Sequence, residues 1–112
     1  MKNMPKAMQY RDYLSLLSKK SNKKRRNLLI DYAEKGEIIA LQEIVQNLLS
    51  GNIPLNNKQK GNLKKHKSLL RKIVKKCSLR KKKSLLKQQG GFLTSLLPIA
   101  LNLIGGLFGS RK

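Results

Sequence analysis

Apolar residues recur three or four positions apart along most of this chain, which is the spacing of amphipathic helices. The first such stripe follows Pro5, a residue suited to the first turn of a helix. A second helix is predicted after Ser21 and Asn22, which can cap it. A third is predicted between Gly36 and Gly51, with the clearest apolar stripe of the first half. These patterns together predict three short helices in the N-terminal half.

The apolar pattern resumes after a connector at residues 52–57. Ile53 and Leu55 flank a proline there, and we expect them to anchor the turn to the helices on either side. A long helix is predicted from about Asn57 to Cys77, and Ser78 can cap a further helix that ends near Gln88. The inward positions of that further helix are Leu79, Leu85 and Leu86. The two helices form either a hairpin or one kinked rod, and the sequence leaves both open.

An uncharged apolar segment, residues 92–108, follows the helix-breaking pair Gly90 and Gly91. As one helix it would span about 25 Å, which is near the lower limit for crossing a bilayer. Pro98 and Asn102 weaken it further as a permanent anchor. We expect this segment to insert into a membrane, to associate with one or to lie under a protein shell, rather than to form a stable transmembrane span.

The predicted fold class is all-α: a small helical bundle of about five short helices, with a separate apolar C-terminal helix after Gly90-Gly91. The pattern divides the chain into an N-terminal helical region at residues 1–52, a basic helical region at residues 53–89 and an apolar tail at residues 90–112. Aromatic residues make up 4% of the chain and Trp is absent, so the core must consist mainly of Leu and Ile. Such a core holds helices together but is poorly suited to shaping a small-molecule pocket.

Charge changes this picture more than any other property of the composition. The chain carries 26 Lys and Arg residues against 5 Asp and Glu residues, a formal net charge of +21. Self-repulsion of that size works against a compact free monomer and favours an anionic partner. All five acids lie in residues 1–52, whereas residues 58–87 contain fourteen Lys or Arg residues, one His and no acid. Nucleic acid is the first candidate partner, and an anionic membrane is the second.

No catalytic or metal-binding constellation is visible in the sequence. Cys77 is the only cysteine, which excludes an intramolecular disulfide and a thiol-rich zinc site. We expect His66 to be a solvated residue of the basic face, and the carboxylates to pair with local basic residues on helix surfaces. There is no glycine-rich phosphate loop. Without such a constellation, we expect the protein not to be an enzyme and to need no cofactor. The N-terminal residues lack the apolar core of a signal peptide, so we expect the protein to be cytosolic or nuclear when made.

Residues 58–87 are the predicted nucleic-acid interface. A solvated helix usually mixes charge signs, whereas fourteen like charges repel one another until a counter-charge relieves them. Lysine dominates and aromatic residues are absent between Leu55 and Gly91, so neither base reading nor base stacking is expected. The predicted mode is sequence-independent neutralisation of the phosphates of double-stranded DNA. The predicted contacts are Lys58, Lys60, Lys64, Lys65, Lys67, Arg71, Lys72, Lys75, Lys76, Arg80, Lys81, Lys82, Lys83 and Lys87, assisted by Lys23, Lys24, Arg25 and Arg26.

The run GGFLTSLLPIALNLIGG, which begins at Gly90 directly after the basic segment, resembles the C-terminal part of the adenovirus core protein mu (pX) precursor. There, too, Arg- and Lys-rich sequence leads into Gly-Gly and an apolar tail with an embedded proline. The IPL turn, the KQK-type basic helix and the GGFL tail are similar to those of short proteins of adenovirus-related polinton and adintovirus elements. The resemblance is strong in the tail, weaker over residues 53–87, and does not cover residues 1–52.

This resemblance implies a DNA-condensing component of a virion core, made as a precursor and trimmed by a viral maturation protease. That protease family favours Met, Ile or Leu, then any residue, then Gly-Gly before the cut. Leu103-Ile104-Gly105-Gly106 fits this pattern, and Gln88-Gln89-Gly90-Gly91 departs from it at the first position. The candidate cleavage positions are therefore Gly91 and Gly106. The implied location is the virion core, with the host nucleus or cytoplasm during assembly.

We therefore expect sequence-independent binding and condensation of a viral or mobile-element DNA genome. One alternative is a membrane-active cationic protein, whose basic helices would hold anionic headgroups while the tail inserts. The other is a minor capsid or scaffold protein whose charge keeps it soluble. The predicted membrane or capsid contacts are Phe92, Leu93, Leu96, Leu97, Ile99, Leu101, Leu103, Ile104, Leu107 and Phe108.

Overall fold

The computed structural model describes residues 4–19 and 23–108, with side chains of the last helix described as far as residue 103. The predicted cap at Ser21 and Asn22 lies outside the described residues. Within them the chain forms eight helices and no strand. The helices are α1 (Pro5–Gln9), α2 (Arg11–Ser18), α3 (Lys23–Asp31), α4 (Lys35–Leu49), α5 (Asn57–Val74), α6 (Leu79–Lys87), α7 (Gly90–Ser95) and α8 (Leu97–Phe108).

Helix α4 is the centre of the bundle. Its apolar stripe is fully enclosed, and Ile38, Leu41, Ile44 and Val45 have no exposed surface. Helices α1, α2, α5 and α6 all pack against it. Burying a side chain of this size stabilises a fold by about 1.5–3 kcal/mol. The stripe that is clearest in the sequence is thus the one around which the other helices assemble.

Side chains just before α4, α5 and α6 determine where these helices begin. Glu34 and Glu37 form a reciprocal capping box at α4, in which Glu34 N donates to Glu37 Oε1 at 2.8 Å. Asn56 and Gln59 form the same motif at α5, with a distance of 2.9 Å in both directions. Ser78 caps α6 by accepting a hydrogen bond from the backbone, which confirms the predicted cap.

The two glycines that were expected to bracket the third helix have different roles. Gly51 ends α4 in the left-handed region, with φ at +75°, and its N–H donates to Leu48 O at 3.2 Å. Gly36 does not precede the helix but lies in the first turn of α4, where the ring of Tyr10 occupies the space that a Cβ would need. The missing side chain lets α4 approach the junction between α1 and α2, which is why a glycine is placed inside a helix.

Two carboxylates have partners that are distant from them in the sequence. Ala7 N donates to Glu43 Oε1 at 2.8 Å, so a residue of α4 caps the start of α1. Asp31, the last residue of α3, binds Lys87 Nζ at 2.6 Å. The expectation that these acids pair with local basic residues is wrong, because tertiary packing brings distant partners closer than the neighbours on their own helix.

The apolar segment after Gly90 is helical, as predicted, but the structure corrects its expected separation from the bundle. Phe92, Leu93, Leu96 and Leu97 are at most 1% exposed and belong to the main core. Helix α7 packs against α2 and α5, and α8 packs against α2. The physical reason is that the leucines of α2 and α5 offer this segment apolar surface within its own chain, so it leaves water without needing a membrane.

The predicted all-α bundle is confirmed. Ile53 is 3% exposed and Leu55 is half-buried against the core, so the connector is anchored as predicted. One hydrophobic cluster contains Leu41, Leu70 and Phe92, which come from the three predicted regions. Residues 1–52, 53–89 and 90–112 therefore contribute to a single core, in a molecule of 35 × 28 × 27 Å.

Candidate nucleic-acid interface

The basic segment folds back on itself as a hairpin. Residues 75–78 join α5 to α6, and the two helices pack against each other. Leu70 of α5 and Leu85 and Leu86 of α6 are buried. Leu79 is predicted to lie on the inner face, but it is 38% exposed because it is the first residue of α6 and borders the loop. The alternative of a continuous rod is therefore excluded, and the basic residues are presented on two packed helices.

Most of the predicted basic contacts lie at the surface of this hairpin. Ten of the fourteen Lys and Arg side chains in residues 58–87 are exposed. No carboxylate of the described chain lies within ion-pair distance of any of these ten. We refer to them as the basic surface, which consists of Lys58, Lys60, Lys64, Lys65, Arg71, Lys72, Lys75, Lys76, Arg80 and Lys81.

Three of the remaining basic residues are held by the protein itself. Lys82 Nζ donates to Gln42 Oε1 at 2.9 Å, and Lys83 Nζ donates to the carbonyl oxygen of Asp31 at 2.9 Å. Lys87 forms the 2.6 Å ion pair with the Asp31 carboxylate. These contacts fasten α6 to α3 and α4. Because their ammonium groups already have partners in the fold, we assign these three residues to the fold rather than to the basic surface.

Positive charge is densest where α5 ends and α6 begins. Lys75, Lys76, Arg80 and Lys81 are all exposed there. The first turn of α6 contains basic residues and no acid, although the N-terminus of a helix already carries partial positive charge. This arrangement is unfavourable for the isolated helix and favourable for a bound anion. The loop at residues 75–78 is therefore the strongest point of the candidate interface.

The basic residues at the start of α3 divide between two surfaces. Lys24 lies seven residues before Asp31 and so shares the side of α3 that faces α6, where it extends the basic surface. Arg26 is half-buried, with Nη2 3.1 Å from the position that a Cβ on Gly90 would occupy. Arg25 instead lines a groove with Tyr13. The predicted assistance of residues 23–26 to the interface is therefore retained for Lys23 and Lys24, which are exposed and do not line this groove.

His66 does not lie on the solvated basic face. It is half-buried, with Nε2 3.2 Å from the position that a Cβ on Gly91 would occupy. The spacing in the sequence indicates this partial burial, because His66 follows Leu63 by three residues and precedes Leu70 by four, and so falls on the apolar stripe of α5. The adjacent Lys67 is also half-buried. Residues 66 and 67 therefore mark the edge where the hairpin meets α7, not the centre of the basic surface.

Both candidate cleavage positions lie inside helices. Gly91 is the second residue of α7, and Gly106 lies within α8. Gln89 and Phe92, on either side of the glycine pair, are fully buried. The side-chain amide of Gln89 has no hydrogen-bond partner among the described residues, which costs about 1–3 kcal/mol. Proteases bind their substrates in an extended conformation, so cleavage at Gly91 requires α7 to unwind, and the unpaired amide lowers the cost of unwinding.

The predicted membrane or capsid contacts are mostly core residues. Four of them are buried as described above, and Ile99, Leu101 and Leu103 are half-buried against the core. Of the side chains of Ile104, Leu107 and Phe108, nothing is described. No helix in the described part of the chain combines the length and apolar character needed to cross a membrane. Contact of the tail with a membrane or capsid would therefore require α7 and α8 to leave the bundle.

Among the described side chains, no group of three or more His, Cys, Asp or Glu residues is placed to hold a metal ion. Comparison of the chain with protein-family models, with curated proteins and with solved structures found no match. The geometry of the hairpin is thus the main basis for assigning a function.

Proposed function

We propose that this protein binds double-stranded DNA without sequence preference and condenses it, by neutralising phosphates with the basic surface. The observation that carries the proposal is the set of ten exposed Lys and Arg side chains that have no paired carboxylate in the described chain. Each of these like charges raises the free energy of the isolated protein, and a phosphate beside it lowers that free energy. A polyphosphate is therefore the partner that this surface fits best.

The size and charge of the molecule support condensation as well as binding. Its longest dimension is 35 Å, which corresponds to about ten base pairs of duplex, or roughly 20 phosphates. The net charge of the chain is +21. One bound copy therefore carries about as much positive charge as its footprint carries negative charge. Removing the repulsion between duplexes in this way is the physical requirement for packing DNA densely.

The nature of the genome in this proposal rests on the resemblance of residues 90–106 to the adenovirus mu precursor. The proposed genome is that of a virus or mobile element, packaged in a virion core beside capsid proteins. A viral maturation protease would act on the unwound tail rather than on the folded protein, because Gly91 and Gly106 are helical. The membrane-active alternative has less support, because Phe92 and Leu96, which would have to insert, are fully buried in the bundle.

A direct competition between DNA and membrane tests the proposal. The full-length protein is mixed with random-sequence duplex and with vesicles containing anionic phosphatidylserine, at about 0.15 M salt, where the screening length is about 8 Å. We expect the protein to remain with the DNA while the vesicles stay intact. Flotation of the protein with leaking vesicles, leaving the DNA free, would contradict the proposal. Polylysine of similar charge is the control, since a protein whose charge only keeps it soluble would bind DNA no better.

A further inference from the structure

A groove on α3 has the composition of a protein interface. It has a volume of about 340 Å³ and is lined by Tyr13, Arg25, Leu28, Leu29, Tyr32 and Glu37. Tyr32 is 83% exposed and Leu28 is 49% exposed, more than any other large apolar side chain in the described residues. Exposed aromatic and apolar residues that adjoin in this way are typical of interaction surfaces. The basic surface does not include this groove, so the DNA-binding proposal leaves it unexplained.

The groove is held rigidly by the fold. Tyr13 OH donates to Leu29 O at 2.9 Å, which fixes α2 against α3. Glu37 is held by the capping box at α4. Burial and the nearby Glu37 carboxylate raise the pKa of Tyr13 above its usual range, so its hydroxyl remains a donor at neutral pH. A preformed surface binds with less loss of conformational entropy than a mobile one.

The charges that line the groove complement each other. Arg25 lies in the first turn of α3, and Glu37 lies in the first turn of α4, beyond the C-terminal end of α3. Leu28 and Tyr32, four residues apart on one side of α3, lie in the apolar part between them. A surface with opposite charges on either side of an apolar strip is self-complementary under a two-fold rotation. Arg25 of each copy then faces Glu37 of the other, and Leu28 and Tyr32 meet across the axis.

We infer that this groove is the contact surface of a two-fold dimer of this chain. The ten residues of the basic surface lie on α5, on α6 and in the loop between them, whereas Leu28 and Tyr32 are exposed at α3, so each copy in the dimer keeps its basic surface open. A dimer with two basic surfaces can bridge two duplexes, which explains condensation rather than simple coating. This consequence rests on the proposed function, whereas the dimer itself does not. Because each copy carries +21, the contact forms only where salt or DNA screens the repulsion.

Sedimentation equilibrium without DNA tests the dimer independently of the proposed function. At about 0.5 M NaCl the screening length is roughly 4 Å, so repulsion between copies is largely removed. We expect a monomer–dimer equilibrium for the natural chain, and a dimer dissociation constant at least about tenfold weaker for Tyr32→Ser. Leu16→Ser is the matched control, because Leu16 is 39% exposed and does not line the groove, and it should dimerise like the natural chain. Chains that all stay monomeric, or that all dimerise equally, would overturn the inference.

Disulfide trapping gives a second readout that does not depend on affinity. In a Cys77→Ser background that keeps Tyr32, Leu28→Cys should form an intermolecular disulfide under mild oxidation much faster than Leu16→Cys, because position 28 lies near the two-fold axis and position 16 does not. Equal rates for the two variants would overturn the inference. Tyr32→Ser should bind long DNA with unchanged affinity. Its mixture with DNA should scatter less light than a mixture with the natural chain, because fewer duplexes are bridged. If the natural chain did not bind DNA, that result would count against the proposed function. The two dimer assays would still test whether the groove is a dimer contact.

Discussion

The N-terminal helices and the helices of the α5–α6 hairpin are all amphipathic, but different kinds of side chain cap their N-termini. Helix α4 begins with a capping box of two glutamates, and α1 is capped by Glu43. Helix α5 begins with the same motif built from Asn56 and Gln59, and α6 begins with Ser78. Neutral caps satisfy the same backbone donors without adding a negative charge. The difference indicates that the hairpin keeps its positive charge intact while the N-terminal helices use carboxylates for stability.

Removing positive charge from the hairpin should weaken DNA binding far more than removing the same charge from the N-terminal helices. Replacing Lys58, Lys60, Lys64 and Lys65 with Gln should weaken duplex binding about a thousandfold at about 0.15 M salt, because each lost phosphate contact removes about 0.9 from the salt slope. The matched variant replaces Lys6, Arg11, Lys19 and Lys35 with Gln and so lowers the net charge by the same amount. It should weaken binding less than about tenfold, since those residues lie outside the hairpin. Equal losses, measured by fluorescence anisotropy, would show that only net charge matters.

A smaller but still large effect is expected where the tail joins the core. Phe92→Ala should lower the free energy of unfolding by about 3–4 kcal/mol, because a fully buried aromatic side chain leaves a cavity. Leu79→Ala, at a 38% exposed position of α6, should change it by less than about 1 kcal/mol. Urea denaturation followed by circular dichroism measures both. If Phe92→Ala were as stable as the natural chain, the tail would not belong to the bundle.

The structural use of carboxylates can be tested at Glu43. Glu43→Ala should lower the free energy of unfolding by about 1–2 kcal/mol, because Ala7 N loses its acceptor at the start of α1. Glu43→Gln keeps an acceptor oxygen and should recover most of this loss. Both variants should bind DNA at least as tightly as the natural chain, because each removes a negative charge. Equal stability of the natural chain and both variants in thermal unfolding would show that the 2.8 Å hydrogen bond from Ala7 N to Glu43 does not stabilise the fold.

A modest change in DNA affinity is expected when α5 is given the acidic capping residues of α4. The double substitution Asn56→Asp and Gln59→Glu keeps the capping box and should leave stability unchanged or raise it by about 0.3–1 kcal/mol, because acids are favourable at a helix N-terminus. Duplex binding should weaken by about three- to tenfold, since two acids now compete with phosphate beside Lys58 and Lys60. Unchanged DNA affinity with intact stability would mean that the neutral caps have no bearing on binding.

Local patterns in the sequence predicted the parts of the fold that local interactions determine. The stripe of α4, the Ser78 cap and the anchoring of Ile53 each depend on residues within a few positions, and each was predicted correctly. The place of the tail depends instead on whether other helices leave apolar surface uncovered, which no local pattern reveals. The same reason hides the contact between Asp31 and Lys87, which are 56 residues apart.

For the candidate site, the sequence indicated which residues are basic but not which are available. Charge density predicted all fourteen Lys and Arg residues of 58–87 as contacts, and ten of them are exposed. It could not distinguish Lys82, Lys83 and Lys87, because their partners Gln42 and Asp31 come from other helices. The groove at Tyr32 was also missed. Leu28 and Tyr32 fit an apolar stripe equally well whether they face the core or solvent, and only the packing of α3 decides between the two.

In the proposed complex, the hairpin binds the phosphate backbone through many simultaneous contacts. The most direct test is the dependence of duplex affinity on salt for the full-length protein. With ten exposed basic residues, log affinity plotted against log salt concentration should fall with a slope between about −6 and −9, for both random and repetitive duplexes. A slope shallower than about −3, or one that depends on the base sequence, would contradict the account.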